Sequence, residues 1–194
     1  SKTTLMETLW NRLEAWIDRH ANIMLDDLNE AASEDAFAPI EKAMGVELEE
    51  DFKAFYRIRN GQFEESEEGI FDTEVLLSLE AIIKEWQKWR TKFDEGEFWD
   101  LESEPENGIR LEWWNPYWLP LTSNGAGSHF FMDFAPTFEG NMGQIIRMDH
   151  DSPKRMLVAS SFREWMEKYV NALEAGRYTY SEEWGGIVAK HKVN

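Results

Sequence analysis

Three consecutive residues, Asp149, His150 and Asp151, carry the side chains in this sequence best suited to acid–base or metal chemistry. An imidazole between two carboxylates can move a proton or bind a metal ion. Neighbouring residues on a strand point to opposite faces, however, and Ser152-Pro153 follows at once, so the pattern favours a solvated turn. A catalytic site would require Asp149 and His150 to converge with Asp133 in one cleft.

Other motifs of enzymes and metal sites are missing from the sequence. The 194 residues include no cysteine, no His-Glu-x-x-His zinc motif and no glycine-rich phosphate loop followed by lysine. His129 lies beside Phe130 and Phe131, where we expect a strand histidine with a satisfied hydrogen bond rather than a ligand. We therefore predict no catalytic residues, no metal site and no cofactor.

Charge is the clearest functional signal in the composition. The chain has 38 acidic and 20 basic residues, for a formal net charge of −18. Nucleic acids and acidic lipid surfaces are themselves anionic, so both are disfavoured as direct partners. An acidic surface can serve solubility alone, or it can attract a basic protein through its long-range field. We expect a basic protein partner, no nucleic acid and no membrane.

Two acid-rich segments, Gln62 to Gly69 and Asp94 to Gly108, are predicted to be the loops that contact this partner. Six tryptophans lie between positions 86 and 118, and most of these should be core, but tryptophan is also enriched at binding hot spots and can lie against lysine or arginine. The predicted partner-binding residues are Glu64, Glu65, Glu67, Glu68, Asp94, Glu95, Glu97, Trp99 and Asp100.

Helices must flank a region of strands to position these segments. The predicted helices are about Leu5 to Asn29 with a break near His20, Ala36 to Met44, Glu49 to Ile58, Ser78 to Phe93, Ser161 to Ala175 and Ser181 to Lys190. Between Ile109 and Ala159, short apolar runs that include Leu111 to Trp114 alternate with turn residues, which indicates strands. This order favours an α+β domain with helices on a mostly antiparallel sheet of about four to six strands.

An ordered set of residues carries a family resemblance. It comprises Ile40-Glu41 through Gly45, Leu48, Phe52, Tyr56, Asn60-Gly61, Trp118-Leu119-Pro120, Asn124-Gly125-Ala126-Gly127, Asp133, Pro136, Gly140, Gly143-Gln144-Ile145-Ile146 and Ala159-Ser160-Ser161-Phe162. The set resembles the SUKH superfamily, whose fungal founder is a cell-wall synthesis regulator and whose bacterial members are immunity proteins. One departure is Glu49, which follows Leu48 where the family usually has proline.

The length of the chain predicts a single domain over 1–194. Outside the matched part we expect an added N-terminal helix over 1–35 and a C-terminal helix over 176–194. The resemblance covers a family-like region over 37–175. It also implies a binding module rather than an enzyme. We expect the motif residues to maintain the fold: Trp118, Pro120, Gly125, Asp133, Pro136, Gly140, Gly143, Gln144, Ser161 and Phe162.

Three functions remain open at this point. The first expectation is a cytoplasmic bacterial immunity protein that neutralises a toxin, such as a basic nuclease. The alternative is a regulatory scaffold of the cell-wall synthesis regulator type, and the third is an uncharacterised hydrolase. We expect a monomer or a weak homodimer, the latter if the N-terminal helix has a second apolar face.

Overall fold

Helices pack against both faces of a central sheet in the part of the chain that the structure, a computed structural model, describes (residues 4–193). Trp89 lies against His129 on one face, and Trp165 lies against the next strand residue, Phe130, on the other. The helices are α1 (Leu5–His20), α2 (Ala38–Met44), α3 (Glu50–Tyr56), α4 (Leu79–Asp94), α5 (Phe162–Glu174) and α6 (Lys190–Val193). The strands are β1 (Val75–Leu76), β2 (Glu104–Pro105), β3 (Trp118–Pro120), β4 (Thr122–Ser123), β5 (His129–Asp133), β6 (Gln144–Met148), β7 (Lys154–Ala159), β8 (Tyr178–Ser181) and β9 (Gly186–Ala189). The ends of the predicted 1–194 domain, residues 1–3 and 194, lie outside the described residues.

The central sheet has five strands in the order β2-β7-β6-β5-β3. Neighbouring strands in this sheet are antiparallel, except that the short β2 runs parallel to β7. In the register of β5 and β6, Phe131 lies opposite Ile146 and Asp133 lies opposite Gln144. The predicted α+β class, with a mostly antiparallel sheet, is confirmed.

Aromatic side chains join the helices into one core with the sheet. Phe162 opens α5 and its ring lies 5.4 Å from that of Phe52 and 5.1 Å from that of Phe55. Trp10 of α1 stacks on Phe55 at 4.5 Å, and its indole N–H donates to the Phe55 carbonyl at 3.0 Å. The N-terminal helix is therefore built into the core through α3 and α5.

Serine side chains begin two of these helices as the sequence predicts. Ser78 Oγ accepts from the backbone N–H of Ala81 at 3.1 Å, and Ser161 Oγ accepts from that of Glu164 at 3.1 Å. Each bond satisfies one of the free N–H groups of a helix's first turn. The break near His20 is also present, because α1 ends there and a 3-10 helix follows over Asn22–Asp27.

Two predicted elements are wrong. The run from Leu111 to Trp114 is not a strand, because this segment pairs only through a single bridge between Glu102 and Glu112. The predicted helix from Ser181 to Lys190 is instead the hairpin of β8 and β9. Its β-favouring residues on either side of a Gly185-Gly186 turn, both with positive φ, override the serine cap.

The outer face of α1 is polar. Asn11, Asp18 and Arg19 are exposed there, whereas the apolar residues of the helix face the core. A dimer through a second apolar face of this helix is therefore not supported.

Candidate protein-binding surface

The motif residues Asp133 and Gln144 form a buried hydrogen-bond network at one end of the sheet. The side-chain amide of Gln144 donates to Asp133 Oδ2 and to the Gly108 carbonyl, each at 2.9 Å, and its oxygen accepts from the N–H of Asn141. Asp133 Oδ1 accepts from the N–H of Ala135 at 2.8 Å. Burial raises the pKa of Asp133, and the bonds from Gln144 and Ala135 oppose that rise. These contacts tie the β5–β6 loop to the segment before β3.

The other motif residues lie in the core or in the turns. Trp118 and Phe162 are fully buried, Pro120 ends β3, and Ser161 caps α5. Pro136 and Gly140 lie in the β5–β6 loop, where a β-carbon at position 140 would stand 2.5 Å from the Gly108 carbonyl oxygen. Gly125, in contrast, sits in an open turn. A role in maintaining the fold remains our interpretation of the set.

His129 is a satisfied core histidine. Its Nδ1 lies 2.7 Å from the Thr122 carbonyl, and its Nε2 lies 3.1 Å from the indole nitrogen of Trp89. These two partners require a proton on Nδ1 and a lone pair on Nε2, which is the neutral imidazole. Burial lowers the pKa of His129 accordingly.

The acid–base residues named from the sequence do not converge. Asp133 lies opposite Gln144 at the start of β6, whereas Asp149 and His150 follow Met148 at its end. A five-residue strand separates them by about 15 Å. Within residues 4–193, no group of three or more His, Asp or Glu side chains is arranged to hold a metal ion.

The first acidic segment is anchored to the body of the domain by its ends. Buried Gln62 accepts from the N–H groups of Ile70 and Leu76 and donates to the Glu68 carbonyl. Glu64 pairs with Lys84 at 3.0 Å, and the Glu68 carboxylate accepts from the hydroxyl of Tyr180. Glu65 and Glu67 are exposed and have no ion pair within the described chain.

The second acidic segment begins with a helix stop that holds Trp99 in place. Gly96 has a φ of +78°, and the N–H groups of Gly96 and Glu97 donate to the carbonyls of Phe93 and Lys92. This pair of hydrogen bonds is a Schellman motif, which ends the helix. The indole of Trp99 lies over Gly96, where a β-carbon would stand 2.8 Å from the ring, yet 82% of Trp99 is exposed.

Beside Trp99 lies an open, mainly apolar cleft of about 460 Å³, which we call the Trp99 cleft. Hydrogen bonds from Ser103 to the Leu111 carbonyl hold its two sides together. Leu101 and Leu111 are 43% and 51% exposed. The cleft is lined by Phe93, Phe98, Trp99, Leu101, Glu102, Leu111, Glu112, Trp113 and Trp114.

Sequence reasoning missed Arg155, which positions Trp113 in this cleft. Its guanidinium is buried without a carboxylate and donates to the carbonyls of Trp113, Ser152 and Lys154. It also lies 4.6 Å from the centre of the Trp113 ring. Burial lowers the pKa of Arg155 to about 10. Arg155 follows Lys154 in the sequence and resembles an ordinary surface residue there, so the sequence gives no sign of this role.

The two acidic segments border one groove along α4. One cavity, of about 640 Å³, is lined by Glu64, Glu67, Lys84 and Lys88, and the next, of about 810 Å³, by Lys88, Glu95 and Glu97. Both cavities also contact Glu85 and Gly125, so they adjoin each other between α4 and the β4–β5 turn. We call this feature the α4 groove; Phe98 and Trp113 connect it to the Trp99 cleft.

The family model of SMI1 / KNR4 (SUKH-1) matches residues 31–168, so the chain belongs to the SMI1 / KNR4 family. The resemblance to SUKH proteins predicted from the sequence is confirmed.

Several curated relatives are fungal regulators. Cell wall assembly regulator SMI1 of Saccharomyces cerevisiae is 24% identical, over 92% of this chain and 43% of the relative. Glucan synthesis regulatory protein of Neurospora crassa is 22% identical, over 90% and 39%. Cell wall biosynthesis/cell cycle regulator smi1 of Schizosaccharomyces pombe is 23% identical, over 90% and 37%. The chain thus spans about two fifths of the length of these relatives.

These relatives overturn the first functional expectation. The prediction of a bacterial immunity protein that neutralises a toxin is wrong, because the matching proteins are named as regulators of cell-wall assembly and glucan synthesis. The resemblance alone could not separate the two branches, since the motif residues serve the fold that both share. No helix among residues 4–193 is long and apolar enough to cross a membrane.

Proposed function

We propose that this chain is a regulatory protein-binding module of the cell-wall regulator type, which acts by binding a basic protein rather than by catalysis. The observation that carries the proposal is that both acidic segments border the α4 groove. The names of the relatives supply the process, cell-wall assembly and glucan synthesis.

The charge distribution supports a basic partner. The groove is lined by five carboxylates and three lysines, so its net charge is negative. Lys84 pairs with Glu64 and Lys88 with Glu85, whereas Lys92 lies over the Trp89 ring. Asp94 pairs with Arg90. The residues we propose as partner contacts remain Glu64, Glu65, Glu67, Glu68, Asp94, Glu95, Glu97, Trp99 and Asp100, and the exposed, unpaired Glu65 and Glu67 are the most informative to change.

The test combines a cellular readout with a binding readout. The coding region is deleted in its native host, and wall glucan content is measured with and without complementation by the wild type or by Glu65→Lys/Glu67→Lys. Tagged forms are used in parallel to capture partners. We expect the deletion to alter wall glucan, and the charge reversal to lose both rescue and the partners that the wild type captures.

The matched control is Asp18→Lys/Glu139→Lys, which makes the same charge change at exposed positions on α1 and the β5–β6 loop. It should rescue and capture as the wild type does. Unchanged wall glucan after deletion, or equal capture by the two double variants, would refute the proposal.

A further inference from the structure

The Trp99 cleft leaves apolar surface open that most folded proteins cover. Trp99 is 82% exposed, and beside it Leu111 is 51% and Leu101 is 43% exposed. Single exposed apolar residues are ordinary, but several around one concave cleft mark a binding site. The volume of the Trp99 cleft, about 460 Å³, suits one large side chain with its adjoining backbone.

We propose that the Trp99 cleft binds a linear segment of a partner protein, in which one large apolar side chain is flanked by lysine or arginine. The inference rests on the proposed function in that the chain acts by binding another protein. It goes further by giving the chemistry of the segment and the place where it is anchored.

The flanking charge follows from the residues around the cleft. Between positions 94 and 112 the chain has eight carboxylates and one basic residue, Arg110, whose guanidinium donates to the Ala135 carbonyl. Glu102 and Glu112 line the cleft itself, and Asp100 lies between Trp99 and Leu101. Lysine or arginine beside the apolar anchor would face these carboxylates, and an arginine could also stack on Trp99.

The same charge argues against a second copy of this chain as the occupant. Two molecules of net charge −18 would bring like-charged surfaces together at the cleft. An acidic segment of a partner would meet the same repulsion.

Contacts within the chain support both sides of the cleft. The Schellman motif fixes the segment after α4, and Gly96 gives Trp99 a close support for its ring. On the other side, Arg155 holds Trp113. Side chains that are already fixed lose little entropy on binding, which favours a short segment that itself must become ordered.

The test is a selection from phage-displayed random peptides of about twelve residues on the wild-type protein, with counter-selection on Trp99→Ala. We expect the survivors to share a large apolar residue flanked by lysine or arginine. Trp99→Ala should weaken the binding of a synthetic survivor at least about tenfold, and Phe138→Ala, which removes another almost fully exposed aromatic side chain, should not change it. Binding should also weaken as salt rises from about 50 to about 500 mM.

A spectroscopic readout places the peptide. In a nitrogen–proton correlation spectrum, the indole signal that Trp99→Phe removes should shift on titration with the survivor peptide. The inference would be overturned if the surviving peptides have no basic residues, or if every survivor also binds Trp99→Ala. A bound peptide that leaves the Trp99 indole signal in place would overturn it too.

The two proposals can fail separately. If Trp99→Ala rescues wall glucan and captures partners normally while Glu65→Lys/Glu67→Lys does neither, the function stands and the Trp99 cleft is not its anchor. If peptides bind as expected but deletion leaves wall glucan unchanged, the cleft stands and the regulatory function fails.

Discussion

The carboxylate of Glu49 lies against the α-carbon of Gly143, so closely that a β-carbon at position 143 would overlap Glu49 Oε1. The contact joins the residue before α3 to the residue before β6. Glu49 stands where the resemblance expects proline, and Gly143 belongs to the motif set. Burial raises the pKa of Glu49, with the nearby charge of Asp51 as a smaller cause.

Gly143→Ala should therefore be destabilising. Gly143 has a φ of +82°, which costs an alanine about 1 kcal/mol, and moving the carboxylate end of Glu49 out of the way of the methyl adds about 0.5–1.5 kcal/mol. Urea unfolding gives the total loss. Gly45→Ala is the matched control, because Gly45 has a φ of +69° and open space around it, so it should lose only the first part. Equal losses in both variants would show that the Glu49 contact does not restrict position 143. Adding Glu49→Ala to Gly143→Ala should restore the part of the stability that is lost through the contact with Glu49.

Thr73→Gly should stabilise the protein. Asp72 and Thr73 both have positive φ, and they form a tight turn in which Phe71 and Glu74 exchange backbone hydrogen bonds. A β-branched residue in this conformation is strained by about 1–2 kcal/mol, which glycine relieves in part. Thermal unfolding should show a higher Tm. Thr179→Gly, in strand β8, should lower it, and a fall in both variants would refute the strain.

Arg155→Lys should destabilise the protein by about 3 kcal/mol, because an ammonium cannot reach the carbonyls of Trp113, Ser152 and Lys154 together. The indole signal of Trp113 should move in the same variant. Neighbouring Lys154→Arg, at an exposed position, provides the control and should leave both stability and the Trp113 signal near their wild-type values. A Trp113 signal unchanged in Arg155→Lys would contradict the positioning role.

The stability of the wild type relative to Asp133→Asn should depend on pH. Burial raises the pKa of Asp133, so the folded state holds this proton more tightly than the unfolded state does. The corresponding stability is present below the unfolded pKa and is lost as pH rises through the folded pKa. The unfolding free energy of the wild type minus that of Asp133→Asn should therefore fall as pH rises above about 4, the ordinary pKa of an aspartate. A difference that rises with pH would contradict the cause given for the shift.

Gly96→Ala should displace Trp99 and weaken peptide binding by more than its effect on stability explains. The added methyl would meet the indole ring at 2.8 Å. Gly45→Ala again controls for the backbone cost, at the end of α2. Binding is measured with a selected peptide under conditions where both variants are fully folded, and equal affinities would show that the support under Trp99 is dispensable.

Local patterns were sufficient to predict the elements that are stabilised locally. The serines at positions 78 and 161 precede the helices that they cap, and the turn residues of the strand region separate β5, β6 and β7. The β8–β9 hairpin is recognisable too, from Tyr178-Thr179-Tyr180, Gly185-Gly186 and Ile187-Val188, and these residues outweigh the helix cap expected of Ser181.

The binding surface required tertiary structure. The α4 groove exists because Lys88 of α4 and Gly125 of the β4–β5 turn, 37 positions apart in the sequence, line the same cavities. The support of Trp99 by Gly96 is local, yet only the fold decides that the indole ring faces an open cleft. Arg155 could not be recognised as buried, because its carbonyl partners come from two separate segments.

Two contacts determine how this chain can be shortened for expression. Trp10 stacks on Phe55, and Lys192 forms an ion pair with Asp72. Each contact joins a residue outside the stretch 31–168 to a residue inside it. A fragment trimmed to the boundaries of the family match would lose α1 and the closing hairpin and expose an aromatic interior, so recombinant versions should retain both ends.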